Sequence, residues 1–339
     1  MRPCGPLFTP SGECRHHSDH YPAGVKVIRY GREAGASDAR EAAVTISIAQ
    51  KDAAAPAGQT AAILTTAIAP AIWGTTYYVT TEFLPQGYPL TVAMLRALPA
   101  GLLLLAFVRA LPTGIWWGRA FILGALNFSI FWALLFVSAY RLPGGVAATL
   151  GAVQPLIVIA LARLVLGRPV RPLAVLAGIG GMAGIALVVL RPEAALDPVG
   201  IAAGLAGIVS LACGTVLSRH WQPPVSSLTF AAWQLTAGGL LLLPAALLLE
   251  PALPVPTATN LIGFAWISVI GAAVTYIFWF RGLARIEPSA IASLGLLSPL
   301  VATTVGWLLL NQSLTPLQFG GFFLAIISLW LSQRAAMTR

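Results

Sequence analysis

From about residue 60 onward, the chain alternates between long apolar stretches and short links rich in proline, glycine and arginine. Ten stretches stand out, at 61–81, 89–108, 118–138, 143–165, 172–190, 198–217, 228–249, 260–280, 288–310 and 316–333. A helix on a soluble core keeps one polar face, and a membrane barrel strand alternates apolar with polar residues. These stretches are apolar all round. Each has roughly the 20 residues that a helix needs to cross a hydrocarbon core about 30 Å thick. The links carry the residues that end helices, as in "LPTG" (111–114), "LPGG" (142–145), "RPVRP" (168–172) and "QPP" (222–224). The pattern predicts an all-α polytopic membrane protein with ten transmembrane helices.

Two stretches are interrupted alike. "LGAVQPLIV" (150–158) returns as "LGLLSPLVA" (294–302), an offset of 144. Over 150–172 against 294–316, Gly151/Gly295, Pro155/Pro299 and Pro172/Pro316 coincide, along with four leucines. Further echoes pair "WGT" (73–75) with "CGT" (213–215), and "LRALPAGLLLL" (95–105) with "WQLTAGGLLLL" (233–243). The chain therefore divides into two five-helix halves, 60–190 and 198–333. Five is odd, so the second half enters the membrane from the opposite side and the repeats are inverted. That plan recurs among secondary transporters, whose site lies between the halves near paired helix interruptions. Proline removes a donor and frees a carbonyl one turn back, which lipid does not tolerate but a cavity does. Pro155 and Pro299 thus place a cavity beside the fourth and ninth spans, with Gln154 and Ser298 as candidate ligands for solute or for the freed carbonyls.

Composition agrees. Hydrophobic residues make up 58% of the 339, and charged residues only 9%, against about 25% in soluble domains. The net charge of +9 does not mark a nucleic-acid binder, because the basic residues are scattered among short links. With the N-terminus inside, Arg109, Arg119, Arg163, Arg168, Arg171, Arg219, Arg281, Arg285, Arg334 and Arg339 fall on the inner side. Only Arg141 and Arg191 fall outside, which orients both termini to the cytoplasm of a bacterial inner membrane. Residues 1–59 have no long apolar run and read as a disordered cytoplasmic tail, or as the product of a misassigned start. Cys4, Cys14, His16, His17 and His20 match no standard zinc spacing, so neither metal nor cofactor is expected.

Polar residues inside a span need a reason. Arg96 lies in the second span and should face the bundle. It draws an anionic or zwitterionic group, or it serves structure by capping carbonyls freed by Pro99 or by snorkelling inward. Glu82 closes the first span as a candidate proton carrier or as a solvated cap. Trp73, Tyr77, Trp132, Tyr140, Tyr276 and Trp279 line a cavity or anchor the interface. Trp132 and Tyr276 coincide under the 144 offset, which favours them. Asn127 and Gln234 suit hydrogen bonds between helices, and Asn127 is also a candidate for contact with solute. Gly74, Gly151, Gly214 and Gly295 suit close helix approach.

Several motifs resemble the drug/metabolite transporter superfamily, EamA type. They are "APAIWGTTYYVTTEFLP" (69–85), "LRALPAG" (95–101), "RLPGGVAATLGAVQPL" (141–156) and "GLARIEPSAIASLGLLSPLVATTVGWLLLNQSLTPLQFGG" (282–321). The resemblance covers the whole membrane part, and within the family it is closest to exporters of pigments or amino acids. It implies two EamA-like repeats and export of small metabolites by alternating access. It also implies a cavity lined by the first, third, fourth, sixth, eighth and ninth spans. Family members usually carry an acid after "LLG" at the end of the fourth span. Here Arg168 stands there and Gln312 at the matching place, so any role of that acid is lost or taken over.

Function is thus expected as secondary transport, with the lipid bilayer and a small solute as partners and protons as a candidate coupling ion. A monomer and a homodimer both remain open. The alternatives are a polytopic scaffold or sensor, or a membrane enzyme. The enzyme reading lacks HExxH, GxSxG and any His within a span, and "GxxxxGK[ST]" is missing for ATP-driven transport.

Overall fold

The structure, a computed structural model, describes residues 58–141, 150–189, 197–309 and 314–337. Every regular element among them is helical. Helix α1 (58–74) yields at Thr75 to α2 (Thr76–Phe83), and α3 (Pro89–Val108) follows. Next, α4 (Trp116–Gly124) passes through a π-helical stretch, Ala125–Ser129, into α5 (Ile130–Arg141). Then come α6 (Gln154–Leu166), α7 (Pro172–Val189), α8 (Pro198–His220) and α9 (Ser227–Leu249). Helix α10 (Ala258–Ala265) runs through a second π-helical stretch, Trp266–Val274, into α11 (Thr275–Leu283). The last are α12 (Pro288–Leu294), α13 (Leu297–Leu309) and α14 (Pro316–Met337).

Among the described residues, eight helices are long and apolar enough to cross a membrane. The other two expected spans differ for identifiable reasons. The first breaks at Thr75, where the Thr75 amide and hydroxyl both turn back to the Ile72 carbonyl. The fourth opens with residues 143–149, which lie outside the described set, and α6 alone has 13 residues. The proposed tail, Tyr140's side chain, Arg191, Gln312 and Arg339 also fall outside it.

Local chemistry sets the helix ends. Pro89, Pro172, Pro198, Pro288 and Pro316 each open a helix, where a missing N–H is harmless and the fixed φ is already helical. Asp197 caps α8 through the Gly200 amide at 2.7 Å, and Thr257 with Asn260 forms a capping box on α10. Gly167 ends α6 at φ +65°, a conformation that glycine adopts without strain.

The packing is inverted relative to a soluble protein. Small residues such as Ala69, Ala97, Ala231 and Ala290 are fully buried, whereas Phe107, Leu164 and Leu248 are about four-fifths exposed. Lipid gives helices no hydrophobic reason to associate, so close backbone approach must do it. Helices α3 and α9 pack at two reciprocal points. A Cβ placed on Gly101 would lie 2.3 Å from the Thr236 amide nitrogen, and one on Gly239 would lie 2.6 Å from Leu98 Cα. Helices α7 and α14 repeat the arrangement. A Cβ on Gly180 would meet Ser328 Oγ at 2.5 Å, and one on Gly321 would meet Leu187 Cβ at 2.6 Å.

Candidate functional site

The two interruptions at the matched prolines are real, but they sit a turn earlier than the prolines themselves. Turns at 152–153 and 295–296 separate the flanking helical pieces. They are tightened by bonds from the Val153 amide to Leu150 O and from the Ser298 amide to Gly295 O, at 3.1 and 3.0 Å. Pro155 and Pro299 then lie in the first turns of α6 and α13, where no donor is needed. The expectation that the prolines themselves break the helices is corrected accordingly. The breaks face each other: a Cβ on Gly295 would lie 3.8 Å from Gln154 Oε1.

Beside them is a cavity of about 490 Å³. Its walls include Trp73, Val92, Arg96, Asn127, Phe131, Trp132, Gly151, Gln154, Ile267, Tyr276, Trp279, Phe280, Gly295, Ser298 and Pro299. It reaches the end of the bundle formed by Thr80, Thr81, Gln86, Gly87 and Tyr88, where Gln86 and Gly87 are exposed. Outside the wall, Leu283, Ile286, Ile291 and Leu294 are fully buried in one apolar cluster. Arg219 Nη1 donates to Leu283 O at 2.8 Å, and Arg168 faces Glu287 at 3.5 Å. Arg171 donates to Ala335 O nearby.

The wall is built around the second π-helical stretch. A wide turn leaves carbonyls displaced from the regular ladder, a feature frequent at functional sites. Gly271 O accepts from Trp73 Nε1 at 3.1 Å, from Arg96 Nη2 at 3.0 Å and from Thr275 Oγ1 at 2.9 Å. Trp73 Nε1 also donates to Thr275 Oγ1 at 2.9 Å. The Trp73 ring lies 5.0 Å from both Tyr276 and Trp279, and Phe128 lies edge-on to Tyr276 at 4.8 Å. Arg96 sits over the Trp132 ring at 5.1 Å, a cation–π contact. Arg96 therefore reaches a carbonyl on another helix.

The other π-helical stretch holds Asn127. Its Nδ2 donates to Gln234 Oε1 at 2.8 Å and to Ser218 Oγ at 3.2 Å, all three being buried. Asn127 and Gln234 thus bond helix to helix, and Asn127 lines the cavity as well.

Of the remaining candidates, Gly74 and Gly214 serve close approach, against Ser298 O and the Asn127 side chain respectively. Gly151 and Gly295 line the cavity; Gly151 has open space where a Cβ would stand, whereas one on Gly295 would lie 3.0 Å from Ala292 O. Glu82 is exposed and lies outside the cavity wall. Tyr77's side chain is outside the described residues. The wall also includes part of α3, so the second span is a lining span, which corrects the expected set of six.

The EamA-like transporter family matches residues 60–190 and 198–333. This chain belongs to that family. Protein PecM of Dickeya dadantii is 46% identical over 75% of this chain and 86% of its own length. A probable amino-acid metabolite efflux pump of Salmonella typhimurium is 26% identical over 77% of this chain and 91% of its own. The uncharacterized inner membrane transporter YedA of Escherichia coli is 26% identical over 73% and 82%. One crystal structure superposes with a TM-score of 0.72 at 17% identity, covering 82% of this chain and 98% of its own, which shows a shared fold. The chain is accordingly a multi-pass membrane transporter.

As an EamA member it carries polar features that its apolar pattern conceals. Both Glu250 carboxylate oxygens accept from the first turn of α3, from the Leu90 and Thr91 amides at 2.6 and 2.8 Å. An anion there meets the unpaired N–H groups and the positive end of the helix dipole. A lone carboxylate closing an apolar run was the available signal, but its partner lies 160 residues away. Arg168 pairs with Glu287 at 3.5 Å.

Proposed function

We propose that this transporter exports small organic metabolites (amino acids, related amines or pigments) across the bacterial inner membrane by alternating access. The observation that carries this reading is the aromatic-walled cavity of about 490 Å³, which reaches the exposed residues Gln86 and Gly87. Its size falls in the range of ligand sites, about 300–1,000 Å³. The names of the efflux pump and of YedA support the class of activity.

The two halves, 60–190 and 198–333, are read as inverted repeats. The reciprocal glycine contacts favour this. Gly101 against Thr236 and Gly239 against Leu98 exchange under the 138 offset that aligns "LRALPAGLLLL" with "WQLTAGGLLLL". A two-fold relation makes residue i meet j while j's mate meets i's. With both termini cytoplasmic, the open end faces outward. Trp73, Asn127, Trp132, Gln154, Tyr276, Trp279 and Ser298 are the proposed contacts with solute. Glu82 stands apart from the wall, and no carboxylate is among the wall residues described, so proton coupling has no carrier there.

The test is tolerance of an added toxic amino-acid analogue by cells carrying the gene. Trp132→Ala or Tyr276→Ala should abolish tolerance at normal expression. Full tolerance in both variants would refute the site.

A further inference from the structure

We propose that Arg96 sets the charge preference of the cavity, selecting solutes that bear a carboxylate or similar anion, and that Gln234 is its neutral counterpart. This rests on the transporter reading and on the paired halves above.

The offset of 138 places Arg96 on Gln234, and the offset of 144 places Asn127 on Gly271. The structure joins the same four positions. Arg96 Nη2 donates to Gly271 O at 3.0 Å, and Asn127 Nδ2 donates to Gln234 Oε1 at 2.8 Å. Each bond links the second helix of one half to the π-helical stretch of the other. The same pair of positions therefore meets twice, with the donor reversed: Arg96 donates from the second helix, whereas Gln234 accepts there. The contact at position 234 is made without a formal charge.

What the charge adds falls inside the cavity. Arg96 lines it, and among the wall residues described it is the only one with a formal charge. A cation in a partly dry, aromatic-walled space attracts an anionic group and repels an ammonium. Its anchoring bond to Gly271 O and its stacking on Trp132 hold it in place, so the preference comes at little further loss of side-chain freedom.

The test uses the purified full chain in detergent and three probes with one ring: 3-phenylpropionate, phenylalanine and phenethylamine. Wild type should bind 3-phenylpropionate about tenfold or more tighter than phenethylamine, the scale of one charge-assisted hydrogen bond. Arg96→Gln should bring that ratio close to one, and Arg96→Lys should keep most of it. An unchanged ratio in Arg96→Gln overturns the proposal. So does a wild type that binds the amine as tightly as the acid, or binds none of the three, and no variant's folding affects that measurement. Flux of the same probes into proteoliposomes reads the transporter assignment separately. Selective binding without flux supports charge selection and overturns transport, and flux without charge selection does the reverse.

Discussion

Replacing Gly101 by alanine tests the packing that holds α3 to α9. The added Cβ would lie 2.3 Å from the Thr236 nitrogen, 2.6 Å from its Oγ1 and 2.8 Å from the Leu235 carbonyl carbon. Carbon normally keeps about 3.5 Å from its neighbours, so the shortfall on the nearest atom is about 1.2 Å. Two of the three obstacles are backbone and cannot swing aside, so the helices must part locally. A gap of 0.5–1 Å already forfeits a quarter to a half of each contact's attraction, and lipid returns no hydrophobic driving force. The expected loss is about 2–3 kcal/mol, the upper range for overpacking. Gly239→Ala should cost a similar amount, and the double variant less than the sum, because the first substitution has already opened the shared seam. Gly320→Ala is the control. Nothing lies within 4 Å of its Cβ, so it should be neutral or slightly stabilising. The assay is unfolding of the detergent-solubilised protein followed by circular dichroism. A Gly101→Ala protein as stable as the Gly320→Ala protein would refute the reasoning.

Three further outcomes are expected. Gln234→Leu should destabilise by about 1–3 kcal/mol, because the buried Asn127 amide loses its 2.8 Å acceptor; an unchanged unfolding free energy would count against that network. Glu250→Gln should weaken the cap on α3 by about 1 kcal/mol. Hydrogen exchange at Leu90 and Thr91 should accelerate, and unchanged protection there would remove the cap from the account. Arg168→Glu should cost no more than about 1 kcal/mol, since the pair with Glu287 is partly exposed and screened. The charge-swapped Arg168→Glu/Glu287→Arg protein should recover the loss, and a further loss in that double variant would show that the two residues do not act as a pair.

The helices were legible because apolar length is a coarse signal and proline marks their starts. The break at Thr75 and the two π-helical stretches were not, since "TT" and "ISVIGAAV" look like ordinary span residues. What makes Gly271 special is three donors arriving from Trp73, Arg96 and Thr275, and two of those lie in the other half of the chain. Much of the wall was foreseen, because Trp, Tyr, Arg and Asn inside a span are expensive enough to demand a reason. Phe131, Phe280 and the rim residues Thr80 and Gln86 were missed, since neither phenylalanine nor a loop polar residue is costly where it stands. Glu82 misled because a carboxylate near a span end looks the same in sequence whether it turns inward or out to water.

Comparing the halves also separates what holds the bundle from what the cavity selects. Gly101 and Gly239, which match between the halves, lie where helices touch, and a change there affects both sides of a shared seam. Several positions that align but differ lie at the wall. Arg96 stands against Gln234, Trp132 against Tyr276, Gln154 against Ser298 and Asn127 against Gly271, and in each pair at least one member faces the cavity. A strictly symmetric pair of halves would offer a solute two equivalent poses with no way to tell its ends apart. On the proposal above, one guanidinium on one side removes that degeneracy and gives the solute an orientation. On the two-half reading, specificity in this transporter should therefore be sought where the repeats disagree, and Arg96→Gln, which removes the sharpest disagreement, is the substitution that should make the cavity least discriminating.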